Sequence, residues 1–174
     1  MRIEEGHFRR ELLHDQNLTI GRLDGRITGP SPLDTGNNSE GDPSGNAINP
    51  PFRAASETYV RSELEYKTDL QHGGGILPWD WGASNRYADI TNLFRNVFFK
   101  NPYMKVLVMA SYYDLATPYF AADYSLNHMG LHPEMHKNIS WQFYHAGHML
   151  YTDKVAHAKM KQDIANFYRA AVPQ

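Results

Sequence analysis

The hydrophobic positions fall into two regimes along the chain. From Lys105 onward they run together: Lys105–Ala110 (KVLVMA) and Ser140–Tyr144 (SWQFY) are short apolar blocks without polar alternation. Such blocks predict strands covered on both faces, as in a parallel sheet flanked by helices. Between them, Thr117-Pro118 predicts a helix start, with threonine as cap and proline at the first helical position. Gly130 predicts a left-handed stop after about Met129. Past the second block, Thr152 is expected to cap a helix with Ala156, Met160, Ile164, Phe167 and Ala171 on one side. This half therefore reads β-α-β-α, with the two strands side by side.

Ahead of Lys105 the pattern is helical and broken. Arg2–His14 carries Ile3, Phe8, Leu12 and Leu13 on a loose stripe, stopped by Asp15-Gln16-Asn17. Leu18–Ile27 is short and rich in turn residues, Gly21 and Asp24-Gly25 among them. From Gly29 to Pro51 the Pro, Gly, Ser, Asn and Asp content predicts a long surface loop, a lid or an excursion from another domain. Ala54–Tyr66 predicts a second helix buried through Ala55, Tyr59 and Leu64. Gly73–Gly75 and Pro78-Trp79-Asp80-Trp81 suggest an ordered, aromatic-packed loop. Ser84 can cap a third helix with the stripe Tyr87, Ile90, Phe94 and Val97, ended by Asn101-Pro102.

Composition changes this picture mainly by exclusion. At 174 residues one core is the default, and a formal charge of −2 gives no reason to expect nucleic acid or an anionic membrane as partner. With no cysteine, disulfides, thiolate metal sites and cysteine nucleophiles are out. No apolar run reaches the ~20 residues that span a bilayer, and the N-terminus carries no signal-peptide pattern.

The chemistry sits where the apolar blocks end. The first is followed by Asp114 and the second by His148, and α/β proteins keep their sites beyond the carboxyl ends of parallel strands. A serine nucleophile needs a histidine to take its proton, and that histidine needs a carboxylate to fix its tautomer. The order acid then histidine fits the α/β-hydrolase sequence of Ser, Asp, His. Gly147 would permit the tight turn that exposes His148, and Tyr112 and Tyr113 would either shield the pair or simply pack in the core. On spacing alone a chance juxtaposition remains an alternative.

A G-x-S-x-G elbow occurs nowhere. Ser44 and Ser84 lie in contexts without a preceding strand, and read as a loop serine and a helix cap. A metal is the other reading of the histidines, since His128, His132 and His136 have helical spacing and His145 pairs with His148. Gly130 and Pro133 break the helix that would align the first three, so no metal is expected.

Several stretches resemble the C-terminal portion of bacterial serine carboxypeptidase-like proteins, peptidase family S10, of α/β-hydrolase fold. They are RRELLHDQNLTIGRLDGRITG (Arg9–Gly29), DPSGNAI (Asp42–Ile48), YVRSELEYKTD (Tyr59–Asp69), PWDWG (Pro78–Gly82), NPYMKVLVMASYYDLATPYFAADYSLNHMGL (Asn101–Leu131) and YHAGHMLY (Tyr144–Tyr151). The resemblance implies Asp114 as triad acid, His148 as triad base and Met149 as a residue lining the leaving-residue pocket. It implies residues 1–100 as a helical, loop-rich cap region and 101–174 as the β-α-β-α end of an α/β-hydrolase core. The family's elbow, oxyanion hole and carboxylate-gripping residues would lie upstream of Met1. Where familiar eukaryotic members carry cysteine near the triad acid, this chain has Leu115-Ala116-Thr117-Pro118.

Two expectations follow. The first is the C-terminal part of a serine-type carboxypeptidase, with a peptide substrate, no cofactor, and a serine supplied by a missing N-terminal part, so that the chain alone is inactive. The second is a non-catalytic binding or assembly module, or a split-gene product, self-associating through exposed sheet edges. Compartment stays open: members of that family are often secreted or periplasmic, and any signal would lie on the upstream part.

Overall fold

In the computed structural model, which describes residues 5–31, 41–68 and 90–172, the order begins with α1 (Glu5–Glu11), β1 (Leu18–Ile20), β2 (Thr28–Pro30) and α2 (Pro43–Thr58). It continues with α3 (Thr91–Lys100), β3 (Val106–Ser111), α4 (Tyr119–Asn127), α5 (Pro133–His136), β4 (Ile139–Tyr144) and α6 (Lys154–Ala171). Helix and strand are mixed, and the chain divides into two compact units: Met1–Gly45 with Thr91–Gln174, and Asn46–Ile90.

In the first unit the two apolar blocks are indeed neighbouring strands. β3 and β4 pair in parallel, from Val106 opposite Ile139 to Ser111 opposite Tyr144. Alternate side chains point to opposite faces, and each face carries its own small core. On one, Val106 and Ile139 join Phe98 of α3, Met129 and Leu131, with Phe94, Met104, Leu126 and Met135 around them. On the other, Tyr144 and Ala146 pack against Ala156 and Met160 of α6. Helices therefore cover both faces, and Tyr144 ties α6 down through its hydroxyl, which donates to Asp163 at 2.8 Å. Burial, and then that carboxylate, raise the Tyr144 phenol above its ordinary value.

The strands are less buried than their composition predicts. Leu107 and Val108 are half-buried, while Met109 and Ser140 are exposed. Among the described residues the parallel sheet has two strands, so its helices cannot wrap it as they would a wider sheet. A second two-stranded sheet pairs β1 and β2 antiparallel, Leu18 opposite Pro30, in the half where no central strand was legible.

Several helix boundaries differ from expectation for local reasons. The Gly29–Pro51 stretch is not all loop, because α2 begins at Pro43. Proline is well placed at a first helical position, and Asp42 accepts the Ser44 N–H at 3.1 Å. In α3, which starts at Thr91, Ile90 and Val97 are exposed and Phe94 and Phe98 make the inward edge-to-face pair, rings 5.3 Å apart. Leu93, Val97, Phe98 and Phe99 surround this helix with apolar groups, so packing on Met129 and Leu131 rather than periodicity chooses the face. α4 is capped at Pro118 and α6 at Asp153, whose carboxylate accepts the N–H groups of Val155 and Ala156 at 3.0 Å. Thr117 and Thr152 are thus not the caps. Gly130 does take the left-handed stop, at φ +65°. The α6 stripe is as expected, with Ala156 buried and Met160, Ile164, Phe167 and Ala171 half-buried.

The second unit contains the rest of α2 and a π-helical turn over Tyr59–Glu63. Its helix ends earlier than Tyr66, and Ala55, Tyr59 and Leu64 are exposed rather than a buried side. The Gly73–Gly75 turn, the 78–81 loop and the Ser84 cap lie outside the described residues.

Candidate functional site

Past the carboxyl end of β3 the chain turns sharply, and Asp114 makes that turn with its own side chain. Its Oδ1 accepts the backbone N–H groups of Ala116 at 2.8 Å and Thr117 at 2.9 Å. Its Oδ2 accepts the Thr117 hydroxyl at 2.7 Å. An aspartate folding back onto the next residues in this way is common turn chemistry. Here it leaves Oδ2 facing the end of β4, where His148 Nδ1 stands 2.9 Å away. The Asp114 side chain is 7% exposed and that of His148 is 41% exposed, so the acid is enclosed and the imidazole reaches outward. Parallel pairing of β3 and β4 brings together two residues that the sequence places one crossover apart.

A third segment holds them there. The β1–β2 loop, residues 21–27, is wedged between the turns that follow the two parallel strands. The Leu23 carbonyl accepts the His148 N–H at 2.6 Å, and the Arg22 carbonyl accepts that of Leu115 at 3.1 Å. Gly25 donates its N–H to the Tyr113 carbonyl at 2.8 Å. Arg26 grips Asp24 through Nε at 3.0 Å and Nη2 at 2.7 Å, and donates from Nη1 to the His145 carbonyl at 3.0 Å. Its guanidinium also lies 4.8 Å from the Tyr113 ring centroid and 3.7 Å from Asp153. The bonds to Asp24 raise the guanidinium's pKa against the opposing effect of partial burial.

The wedge is anchored from behind by the start of α2. Asp42 Oδ1 accepts the Arg22 N–H at 2.8 Å and the Ser44 hydroxyl at 2.6 Å, and Ser44 Oγ accepts the Leu23 N–H at 2.8 Å. Burial pushes the Asp42 carboxyl up, but the Ser44 hydroxyl, the Arg22 and Ser44 N–H groups and the Arg9 charge outweigh it and hold it below the ordinary range. Ser44 is fully buried with its hydroxyl engaged on both sides, which makes it a strut.

Other candidates fall apart spatially. His128 closes α4, its Nδ1 2.7 Å from the Tyr124 carbonyl and its ring stacked on Tyr124. His132 caps α5, and His145 lies against Tyr112, ring centroids 5.0 Å apart. Among the described residues no three acid or imidazole groups converge on a point that could hold a metal. Tyr112 packs on Tyr119 and Phe143, and Tyr113 takes Arg26. Met149 is half-buried directly after His148, and its carbonyl accepts the Thr152 hydroxyl at 2.8 Å.

Sequence reasoning missed Leu23, Asp24, Arg26 and Thr117. The only signal for the first three was the density of turn residues in Gly21–Arg26, which says that a loop exists but not what it touches. Gly147 matters for a different reason than turn freedom. A Cβ on it would come within 2.4 Å of the Leu23 carbonyl oxygen and 2.6 Å of the Asp24 Cβ, so glycine is needed for close approach. Compared with protein-family models, curated proteins and solved structures, the chain matches none of them.

Proposed function

We propose that Asp114 and His148 are the orienting acid and the general base of a serine-type hydrolase, and that the chain is the C-terminal part of an α/β-hydrolase core of the serine carboxypeptidase kind. The observation that carries this reading is the 2.9 Å contact between Asp114 Oδ2 and His148 Nδ1 beyond the carboxyl ends of two adjacent parallel strands. In that role Asp114 holds the imidazole with Nδ1 protonated and stabilises the imidazolium, while Nε2 takes the serine proton and passes it to the leaving amine. The serine and the oxyanion donors come from sequence outside this chain, and the substrate is the carboxyl end of a peptide. Met149, next to the base, lines the leaving-residue pocket.

The test is a fluorophosphonate probe. This chain alone is expected to stay unlabelled, because base and orienter without nucleophile or oxyanion hole do not make an acyl acceptor. Stoichiometric labelling would sink the claim that the serine lies elsewhere. In a polypeptide extended upstream to include a serine elbow, labelling is expected and His148→Ala should abolish it. Labelling that survives that substitution overturns the role of His148.

A second reading, a non-catalytic assembly module, is favoured by the apolar surface around the sheet: Leu93, Phe99 and Tyr103 are 69%, 78% and 90% exposed. The partner would be an upstream part of the same protein or a second copy.

A further inference from the structure

The Asp114–His148 contact has a third member. Thr117 Oγ1 donates to Asp114 Oδ2 at 2.7 Å and stands 3.2 Å from His148 Nδ1, so hydroxyl, carboxylate oxygen and ring nitrogen form a closed triangle. A hydroxyl has one proton, and the shorter distance assigns it to the carboxylate. What Thr117 then presents to Nδ1 is a lone pair. Nδ1 faces two acceptors, and an imidazole answers two acceptors by keeping its proton on that nitrogen.

The geometry points to Thr117 as a positioning residue that locks His148 in the Nδ1–H tautomer and leaves Nε2 bare to act as base. This rests on the acid–base reading of the pair and adds to it a residue outside the expected set. Thr117 was expected to cap a helix, but α4 is capped at Pro118 and the threonine hydroxyl is spent on the site. Were the hydroxyl absent, Nδ1 would face a single acceptor, and the Asp114 carboxylate would lose one of the donors that aim it. With Nε2 protonated instead, the ring would offer the nucleophile a donor where an acceptor is needed, and proton transfer would stop.

The tautomer can be read on this chain without any activity, from the nitrogen-15 resonances of the His148 ring, in which a protonated and a bare nitrogen of the neutral ring differ. In the wild-type chain Nδ1 should report a protonated nitrogen and Nε2 a bare one. Thr117→Val should shift the ratio of the two tautomers about fivefold toward the Nε2–H form, the size of one hydrogen bond. Thr117→Ser should restore it. An unchanged ratio in folded Thr117→Val overturns the role, as does an unchanged ratio in Thr117→Ala should the valine variant not fold. Failure of both to fold while Thr117→Ser folds also overturns it, in favour of a purely structural hydroxyl. Asp114→Asn separates this from the parent reading. If that variant leaves the ring unchanged, the acid–base pairing itself fails. If it responds and Thr117→Val does not, only the threonine is at fault.

Discussion

At the scale of single residues, the site depends on a side chain that is not there. Gly147 lets the Leu23 carbonyl and Asp24 come against the backbone just before His148, and a methyl group at that position meets a carbonyl oxygen rather than a flexible side-chain end. Gly147→Ala should therefore push the β1–β2 loop away and break the Leu23–His148 hydrogen bond, at a cost of about 2 kcal/mol from overpacking. Chemical denaturation would measure it, and a midpoint equal to wild type would show that the loop yields freely. The same residue illustrates what the sequence makes legible. Asp114 and His148 are visible because each ends an apolar run, a feature local to the chain. Leu23 contributes a carbonyl, which every residue has, and so its identity carries no sign of its role. Thr117 was visible as a polar residue before proline, but two uses compete for such a hydroxyl, and only the fold shows that the carboxylate takes it.

At the scale of elements, two carboxylates at helix starts connect pH to stability. Asp153 caps α6, and the N–H of Ala156 foremost lowers its pKa despite some desolvation. Asp42 at the start of α2 is also held below its ordinary value, by the bonds that overcome its burial. A carboxyl whose folded value is depressed stabilises the fold above its unfolded value of about 3.9, and that contribution is lost as pH falls through the folded value. The thermal midpoint should accordingly drop below about pH 4, beyond what its other carboxylates produce. The double variant Asp42→Asn and Asp153→Asn keeps an accepting oxygen at each helix start but removes the titration, so its melting curve should fall less steeply with acid. An equally steep fall would locate the acid sensitivity in other carboxylates. Element types were readable from periodicity and composition, most clearly β3, β4 and α6. The face of α3 was not, since its apolar residues surround it and the choice between Val97 and Phe98 is made by Met129 and Leu131, distant in sequence.

At the scale of the whole molecule, the parallel sheet is the part that is least finished. β3 and β4 bond to each other, and among the described residues no further strand joins their sheet. Half-buried strands and exposed apolar residues such as Phe99 and Tyr103 are what an extended sheet or a partner would cover. Sedimentation at increasing concentration should show self-association of this chain. A compact monomer throughout would count against the assembly reading and leave the exposed surface without a partner of its own kind. No described helix is long and apolar enough to cross a membrane.

The wedge between the two strand ends also imposes an order in time. His148 belongs to the part of this chain that a ribosome makes late, yet its backbone N–H is satisfied by Leu23, made early, and Leu23 is in turn held by Ser44. Closing contacts that span so much of the chain costs loop entropy that the local β3–α4–β4 contacts do not, which favours the local contacts forming first. The strands and their helices can associate as a local unit before His148 has its final backbone contact. Completion of the Asp114–His148 site is thereby tied to the joining of the chain's early and late segments, since the turn that carries His148 is pinned by Leu23.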